Sequence, residues 1–268
     1  MSVDYTTRYG LEYNPFIKNN KETLIETREY REIISRLNYL VQIRGFGVIT
    51  GAPGLGKTTA LRNWTKSLNS SAYKTIYIPL STLTVMEFYR YLAAELGCDP
   101  AYKKADNFRM IQNAIERYVY EKRMVPIILL DEANYLKSAT LNDLKILFNF
   151  DMDSTNRAMI LLTGLPQLAS TLNLNAHEPL RQRITMNYNI SPLTAEESKA
   201  YILEKLKCAG CHQEVFEKNA LEAIANAANG IPRMIDKITN TALLIGSSLN
   251  QNIIIADTVM NAVNDLLL

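Results

Sequence analysis

The sequence predicts an α/β fold: a five-stranded, mostly parallel sheet flanked by helices, with a small all-helical domain after it. Two observations carry this. From Phe46 onward, the short apolar runs Val48-Ile49-Thr50, Thr75 to Leu80, Pro126 to Leu130, Met159 to Thr163 and Met186 to Ile190 alternate with stretches of helical periodicity. A helix between two strands returns the chain to the starting edge, so such alternation builds parallel sheets. After Pro192 the apolar runs stop and only helical periodicity is left. The expected organisation is an N-terminal segment and first helix joining the core (1–45), a sheet domain (46–192) and a helical domain (193–268).

The helical stretches can be placed in order. A helix over Lys57 to Leu68 follows the first strand. Phe108, Ile111, Ile115, Tyr118 and Val119 recur at helical spacing, with Asp106 as the expected N-cap. Leu141, Leu144, Leu147 and Phe148 do the same after Ser138. Thr194-Ala195-Glu196-Glu197 is a capping box that starts a helix through Leu206. Helices are then expected over Lys218 to Asn229, stopped by Gly230, over Pro232 to about Ser248, and from Asp257 to the end. These stripes are core positions.

With 29 basic against 27 acidic residues in 268, the chain projects no strong field toward nucleic acid or a membrane surface. Any DNA contact must come from a local patch. No run reaches the roughly 18 apolar residues of a membrane span, and the amino terminus lacks a signal-peptide core, so a cytoplasmic protein with no membrane contact is expected. Three cysteines do not suggest a disulfide framework.

The chemistry begins at Gly51-Ala52-Pro53-Gly54-Leu55-Gly56-Lys57-Thr58, a G-x-x-x-x-G-K-[ST] match between a strand and a helix. Glycines let the backbone wrap phosphate oxygens, successive N–H groups and the helix start face the anion, and Lys57 adds a point charge. Thr58 is the expected magnesium ligand, and Thr59 completes the ATP-binding set. Ile127-Ile128-Leu129-Leu130-Asp131-Glu132 is an apolar strand ending in two carboxylates. Asp131 is expected to act on Mg2+ and Glu132 to orient the attacking water, although alone the pair would also fit a helix start. Thr163 ends the next strand and would face the same crevice if that strand lies between the other two; otherwise it is a turn residue before Gly164. Cys208-Ala209-Gly210-Cys211-His212 fits a haem or partial zinc pattern, but it ends a helix and no second ligand pair lies nearby, so ordinary packing is the reading.

Together the two acidic and glycine-rich motifs, Thr163, and Gly230-Ile231-Pro232-Arg233 resemble the AAA+ ATPases over nearly the whole chain. More narrowly, Tyr9-Gly10-Leu11 with Asn14-Pro15-Phe16, Leu180-Arg181-Gln182-Arg183-Ile184 and Pro192-Leu193-Thr194 resemble the ExeA-like group. That group is similar to the target-selecting ATPases that accompany transposases, TnsC, TniB and MuB. The resemblance implies a P-loop core, a helical lid, and Thr163 as sensor 1. It makes Arg183 the arginine that reaches a neighbour's nucleotide in trans, with a surface ion pair as the bland alternative and Arg181 pointing elsewhere. It makes Arg233 the sensor 2 arginine coupling the lid to ATP, or else a helix-start charge.

An arginine acting in trans implies a head-to-tail homo-oligomer, closed as a ring or open as a helical filament. The resemblance further implies ATP-dependent assembly on double-stranded DNA, presentation of that DNA to a transposase, and disassembly on hydrolysis. ExeA proteins carry more chain after the lid, so ending at Leu268 favours the transposition-associated relatives. The alternatives are an ATPase acting on protein partners in secretion or phage defence, and a scaffold in which ATP binding alone matters. Loops at Ser81 to Thr84 and Tyr102 to Arg109 match the DNA-contacting loops of these relatives. Lys103, Lys104 and Arg109, beside Tyr102 and Asn107, would hold phosphates without reading bases, or form a merely solvated loop.

Overall fold

The computed structural model describes residues 5–17, 23–79 and 81–266. Leu80, expected to close the second strand, and the chain ends 1–4 and 267–268 lie outside the described residues. Helices α1 (Tyr5–Arg8) and α2 (Arg28–Ile43) precede β1 (Gly45–Thr50). There follow α3 (Lys57–Ser67), β2 (Tyr73–Ile78), α4 (Val85–Glu95), α5 (Lys104–Tyr120), β3 (Val125–Leu130), α6 (Ser138–Leu147), β4 (Met159–Gly164), α7 (Pro166–Leu172), α8 (Glu178–Arg181) and β5 (Ile184–Asn189). Helices α9 (Ala195–Cys208), α10 (Lys218–Ala228), α11 (Pro232–Ser248) and α12 (Ala256–Leu266) complete the chain.

The chain divides into two compact units. Glu32–Pro53 with Lys57–Ile190 form the sheet unit, and Met1–Arg31, Gly54–Gly56 and Ser191–Leu268 form the helical unit. The sheet has five strands in the order β2-β3-β4-β1-β5, and every neighbouring pair is parallel. Strands β1, β3 and β4 read as near-continuous apolar runs because helices cover both of their faces. On one face, Val48, Ile128, Leu130, Ile160 and Leu162 pack with Phe88, Leu92, Ile111, Leu141 and Leu144 of α4, α5 and α6. On the other, Gly47 leaves room for Leu40 of α2, where any β-carbon would collide, and Trp64 of α3 donates its indole N–H to Asn38 of α2 at 2.8 Å.

This order decides where a ligand goes. The chain leaves β1 for the far edge at β2, returns through β3 and β4, and then crosses to β5. In open parallel sheets the crevice forms outside the carboxyl ends of the strands where the order reverses. The loop after β1 and the ends of β3 and β4 meet there.

In the helical unit, Ile202, Leu206, Ile224, Ile238, Leu243 and Ile254 form the core together with Tyr9, Leu11 and Phe16. The segment 1–45 therefore does not join the sheet whole, because Tyr5, Tyr9 and Phe16 are buried among the lid helices. Tyr5 donates to the Asn240 side chain at 2.5 Å, Asn14 donates to it at 2.8 Å, and the Glu12 N–H reaches the Ala209 carbonyl at 2.8 Å. Inside this core the Lys205 ammonium lies 2.8 Å from Asp236, which burial pushes above the usual carboxylate range.

Two helix ends differ from expectation. Lys103, not Asp106, occupies the N-cap of α5 and makes no side-chain cap bond; Asp106 sits within the first turn, where its charge still favours the helix dipole. Helix α10 stops through Asn229 and Gly230 together, both left-handed at φ 48 and 69°. Gly230 is needed because a β-carbon would run into the Leu193 backbone, whose N–H bonds the Gly230 carbonyl at 2.9 Å.

The capping box of α9 is formed as expected, with the Thr194 hydroxyl accepting from Glu197 N–H at 3.2 Å and the Glu197 carboxylate accepting from Thr194 N–H at 2.8 Å. Thr194→Ala should lower unfolding free energy by about 1 kcal/mol in a denaturant titration; an unchanged midpoint and slope would show that the cap is redundant.

Candidate nucleotide-binding site

The loop after β1 owes its shape to two glycines in conformations that side chains resist, Gly54 at φ 86° and Gly56 at φ 92°. The Lys57 ammonium, on the first turn of α3, is buried beneath the loop and donates to the carbonyls of Gly51 (2.7 Å) and Ala52 (3.1 Å). A positive charge is thus fixed inside a turn of backbone N–H groups at a helix start, an arrangement suited to phosphate oxygens.

Asp131, at the end of β3 and only 3% exposed, is the centre of the polar network. One carboxylate oxygen accepts from Thr58 of α3 and from Tyr77 of β2, both at 2.9 Å. The other accepts from Thr163 of β4 at 2.7 Å and from the backbone N–H of Glu132 at 3.0 Å. The Ser81 hydroxyl, in the loop after β2, donates to the Asp131 carbonyl. Burial and the neighbouring Asp131 push the Tyr77 phenol up to about 12, so it stays a donor through neutral pH.

The donor set fits magnesium, an oxygen-seeking cation that binds through one or two protein oxygens and retains waters. Thr58 gives its proton to Asp131, which leaves its own lone pairs for a cation. Glu132 follows with its side chain in solvent and its backbone left-handed at φ 52°, a costly conformation for a non-glycine residue. The short turn Ala133–Tyr135 follows directly, so this exposed residue stands next to Asp131 at the carboxyl edge of the sheet.

Comparisons with known proteins bear on this geometry. An AAA domain family matches residues 41–172. General secretion pathway protein A of Aeromonas hydrophila is 30% identical over 245 residues, 90% of this chain and 44% of that protein. ATP-dependent target DNA activator B of Escherichia phage Mu is 25% identical over 138 residues, 52% of this chain and 41% of that protein. Among solved structures, Cdc6p of Pyrobaculum aerophilum superposes with a TM-score of 0.72 at 17% identity, covering 95% of this chain and 71% of that one. Residues 41–172 are thus an AAA domain, a family of ATPases. It spans less than half the length of the two curated relatives.

The other expected site residues lie as follows. β4 does run between β1 and β3, which brings Thr163 to Asp131. Arg183 lies two residues past the end of α8, immediately before β5; its side chain is 14% exposed, and it donates to the Lys145 carbonyl at 2.7 Å and pairs with Asp153. Desolvation lowers its pKa from the usual arginine value. Arg181 donates instead to the Asn173 carbonyl at 2.9 Å. Arg233 is exposed in the first turn of α11, and within the helical unit its backbone N–H lies 3.3 Å from the Gly54 carbonyl.

The expected DNA-contacting loops are partly spent on structure. Asn107 is fully buried and ties the loop together through Ala101 and Lys103, so it offers nothing to phosphate. Lys104 pairs with Asp143 at 2.5 Å. Lys103, Arg109 and Tyr102 remain exposed. In the other loop Ser81 is buried on Asp131 and Thr84 caps α4, leaving Thr82 exposed. Cys208 is exposed and Cys211 buried, and no group of three metal-ligating side chains occurs among the described residues.

Sequence reasoning missed Tyr77, Ser81 and Asn134. The Asn134 side chain accepts from Leu165 N–H at 2.9 Å and ties the turn after β3 to the end of β4. The alternation of the edge strand β2, which turns Tyr77 away from Ile76 and Ile78, was the available signal for the tyrosine; nothing local marked the other two. Lys57→Ala should abolish ATP binding in a fluorescent-nucleotide titration, whereas wild-type affinity in the variant would remove the loop from the site.

Proposed function

We propose that this AAA+ ATPase assembles on duplex DNA when it binds ATP and presents that DNA as a target to a transposase, hydrolysis then driving disassembly. The observation that carries the reading is the match, over 138 residues or 52% of the chain, to target DNA activator B of phages Mu and D108. Lys103 and Arg109 are the residues proposed to hold DNA phosphates, with Lys104 available only if it leaves Asp143.

In this reading Lys57 and the backbone N–H groups of residues 51–58 bind the phosphates, and Thr58 with Asp131 would hold magnesium. The metal would neutralise charge on the phosphate oxygens. Glu132 orients water, Thr163 reports the state of the crevice to β4, and Arg233 couples the lid to the nucleotide. Arg183 acts on a neighbour's nucleotide, supplying charge where it builds up during transfer. It must exchange Asp153 for phosphate to do so, which makes hydrolysis depend on assembly.

A second reading is favoured by the 30% identity to General secretion pathway protein A, which extends over 90% of the chain. There the same engine acts on protein partners. Size-exclusion chromatography with ATP, with and without duplex DNA, separates the two. DNA-dependent oligomers support the first reading; unchanged elution and no mobility shift on DNA would discard it.

Glu132→Gln should keep ATP affinity while lowering turnover about a hundredfold or more and prolonging the assembled state. For Arg183→Ala, binding should persist while assembly-stimulated turnover falls on the order of a thousandfold; full stimulation in a steady-state ATPase assay would assign the trans role to another residue.

A further inference from the structure

We infer that Tyr77 is a positioning residue for the metal-dependent step, acting through Asp131. The inference rests on the reading in which Thr58 offers its lone pairs to magnesium while Asp131 holds the Thr58 hydroxyl from behind. An ionised carboxylate has about four acceptor directions. On Asp131 all four are met by donors from different parts of the fold: Thr58 from α3, Tyr77 from β2, Thr163 from β4 and the Glu132 backbone. Three of these have duties elsewhere. Thr58 stands at the phosphate loop, Thr163 is 1% exposed inside the sheet, and the Glu132 N–H belongs to the strained turn.

Among the described residues, the Tyr77 hydroxyl is hydrogen-bonded to Asp131. Its ring leaves the edge strand on the side away from Ile76 and Ile78, which are buried in the opposite core, and stays 41% exposed while its hydroxyl reaches inward. It lands on the oxygen that Thr58 also holds. The two hydroxyls approach that oxygen from β2 and α3, and so fix both the rotation of the carboxylate and the direction of the Thr58 proton. The lone pairs of Thr58 then point away from Asp131. Removing the phenol oxygen leaves Asp131 held on three sides and lets the Thr58 hydroxyl turn with it.

Outer hydrogen-bonding partners of metal-binding groups are typically worth 10–100-fold in metal affinity. The experiment is a magnesium titration of fluorescent ATP-analogue binding to the full chain, for wild type and Tyr77→Phe, with a parallel titration in EDTA. Tyr77→Phe should need about tenfold more magnesium for half-maximal enhancement of binding, with unchanged affinity in EDTA and an unchanged thermal midpoint. In steady-state assays at saturating magnesium, kcat should recover, since the defect lies in capturing the ion.

Superimposable magnesium curves would overturn the inference, as would tighter magnesium binding, which would make the phenol a competitor. A parallel loss of affinity in EDTA would overturn it too, because the phenol would then serve the nucleotide or the fold. Wild type with no magnesium dependence would instead remove the underlying metal reading.

Discussion

One buried carboxylate ties together the strand ends that face the nucleotide crevice. Asp131 is taken out of water at the end of a strand covered on both faces, a transfer that costs several kcal/mol for an ion without partners. Hydrogen bonds to a charged acceptor return about 1.5–3 kcal/mol each, so the position is tolerable only while its donors stay in place. Those donors arrive from α3, β2, β4 and the turn after β3. A change of charge at this point, as when a cation approaches, is therefore felt by α3, β2, β4 and the turn after β3.

Much of this was legible in the sequence because the relevant signals are local. The spacing of Gly51, Gly56 and Lys57 specifies a loop whose shape depends on backbone freedom, and the apolar runs of β1, β3 and β4 specify burial on both faces. Thr163 was reachable only through topology, since its meeting with Asp131 depends on β4 lying between β1 and β3. Asn107 shows where composition misleads. A polar residue beside two lysines suggests a phosphate contact, yet its amide is consumed by the backbone of residues 101–103. The N-terminal aromatic motif misled in a different way, because Tyr9 and Phe16 carry no periodicity that says which core they enter.

The surroundings of Arg183 show a second constraint. Three consecutive residues, Asp151, Met152 and Asp153, hold left-handed backbone conformations with φ of 49, 56 and 71°. None is glycine, so the turn needs external support. Arg157 supplies it: its side chain is 8% exposed and it grips both Asp151 carboxylate oxygens, at 2.8 and 2.7 Å, and also pairs with Glu116. The turn so fixed presents Asp153 to Arg183 and leaves Met152 fully in solvent. An arginine that pairs within its own chain is oriented in advance, but it must trade one anionic partner for another before acting elsewhere.

Glu132 and Arg183 stand at opposite ends of the strands, the first after β3 and the second before β5. In a parallel sheet these ends face opposite sides of the unit. One sheet therefore cannot bring its own Glu132 and its own Arg183 to a single phosphate, however its loops move. If both serve hydrolysis, two sheets must contribute, stacked with the carboxyl edge of one against the amino edge of the next. Such a contact joins unlike surfaces, and each added subunit exposes the same pair of edges again. On that condition, repeated head-to-tail assembly follows from strand direction itself, before any particular interface residue is considered.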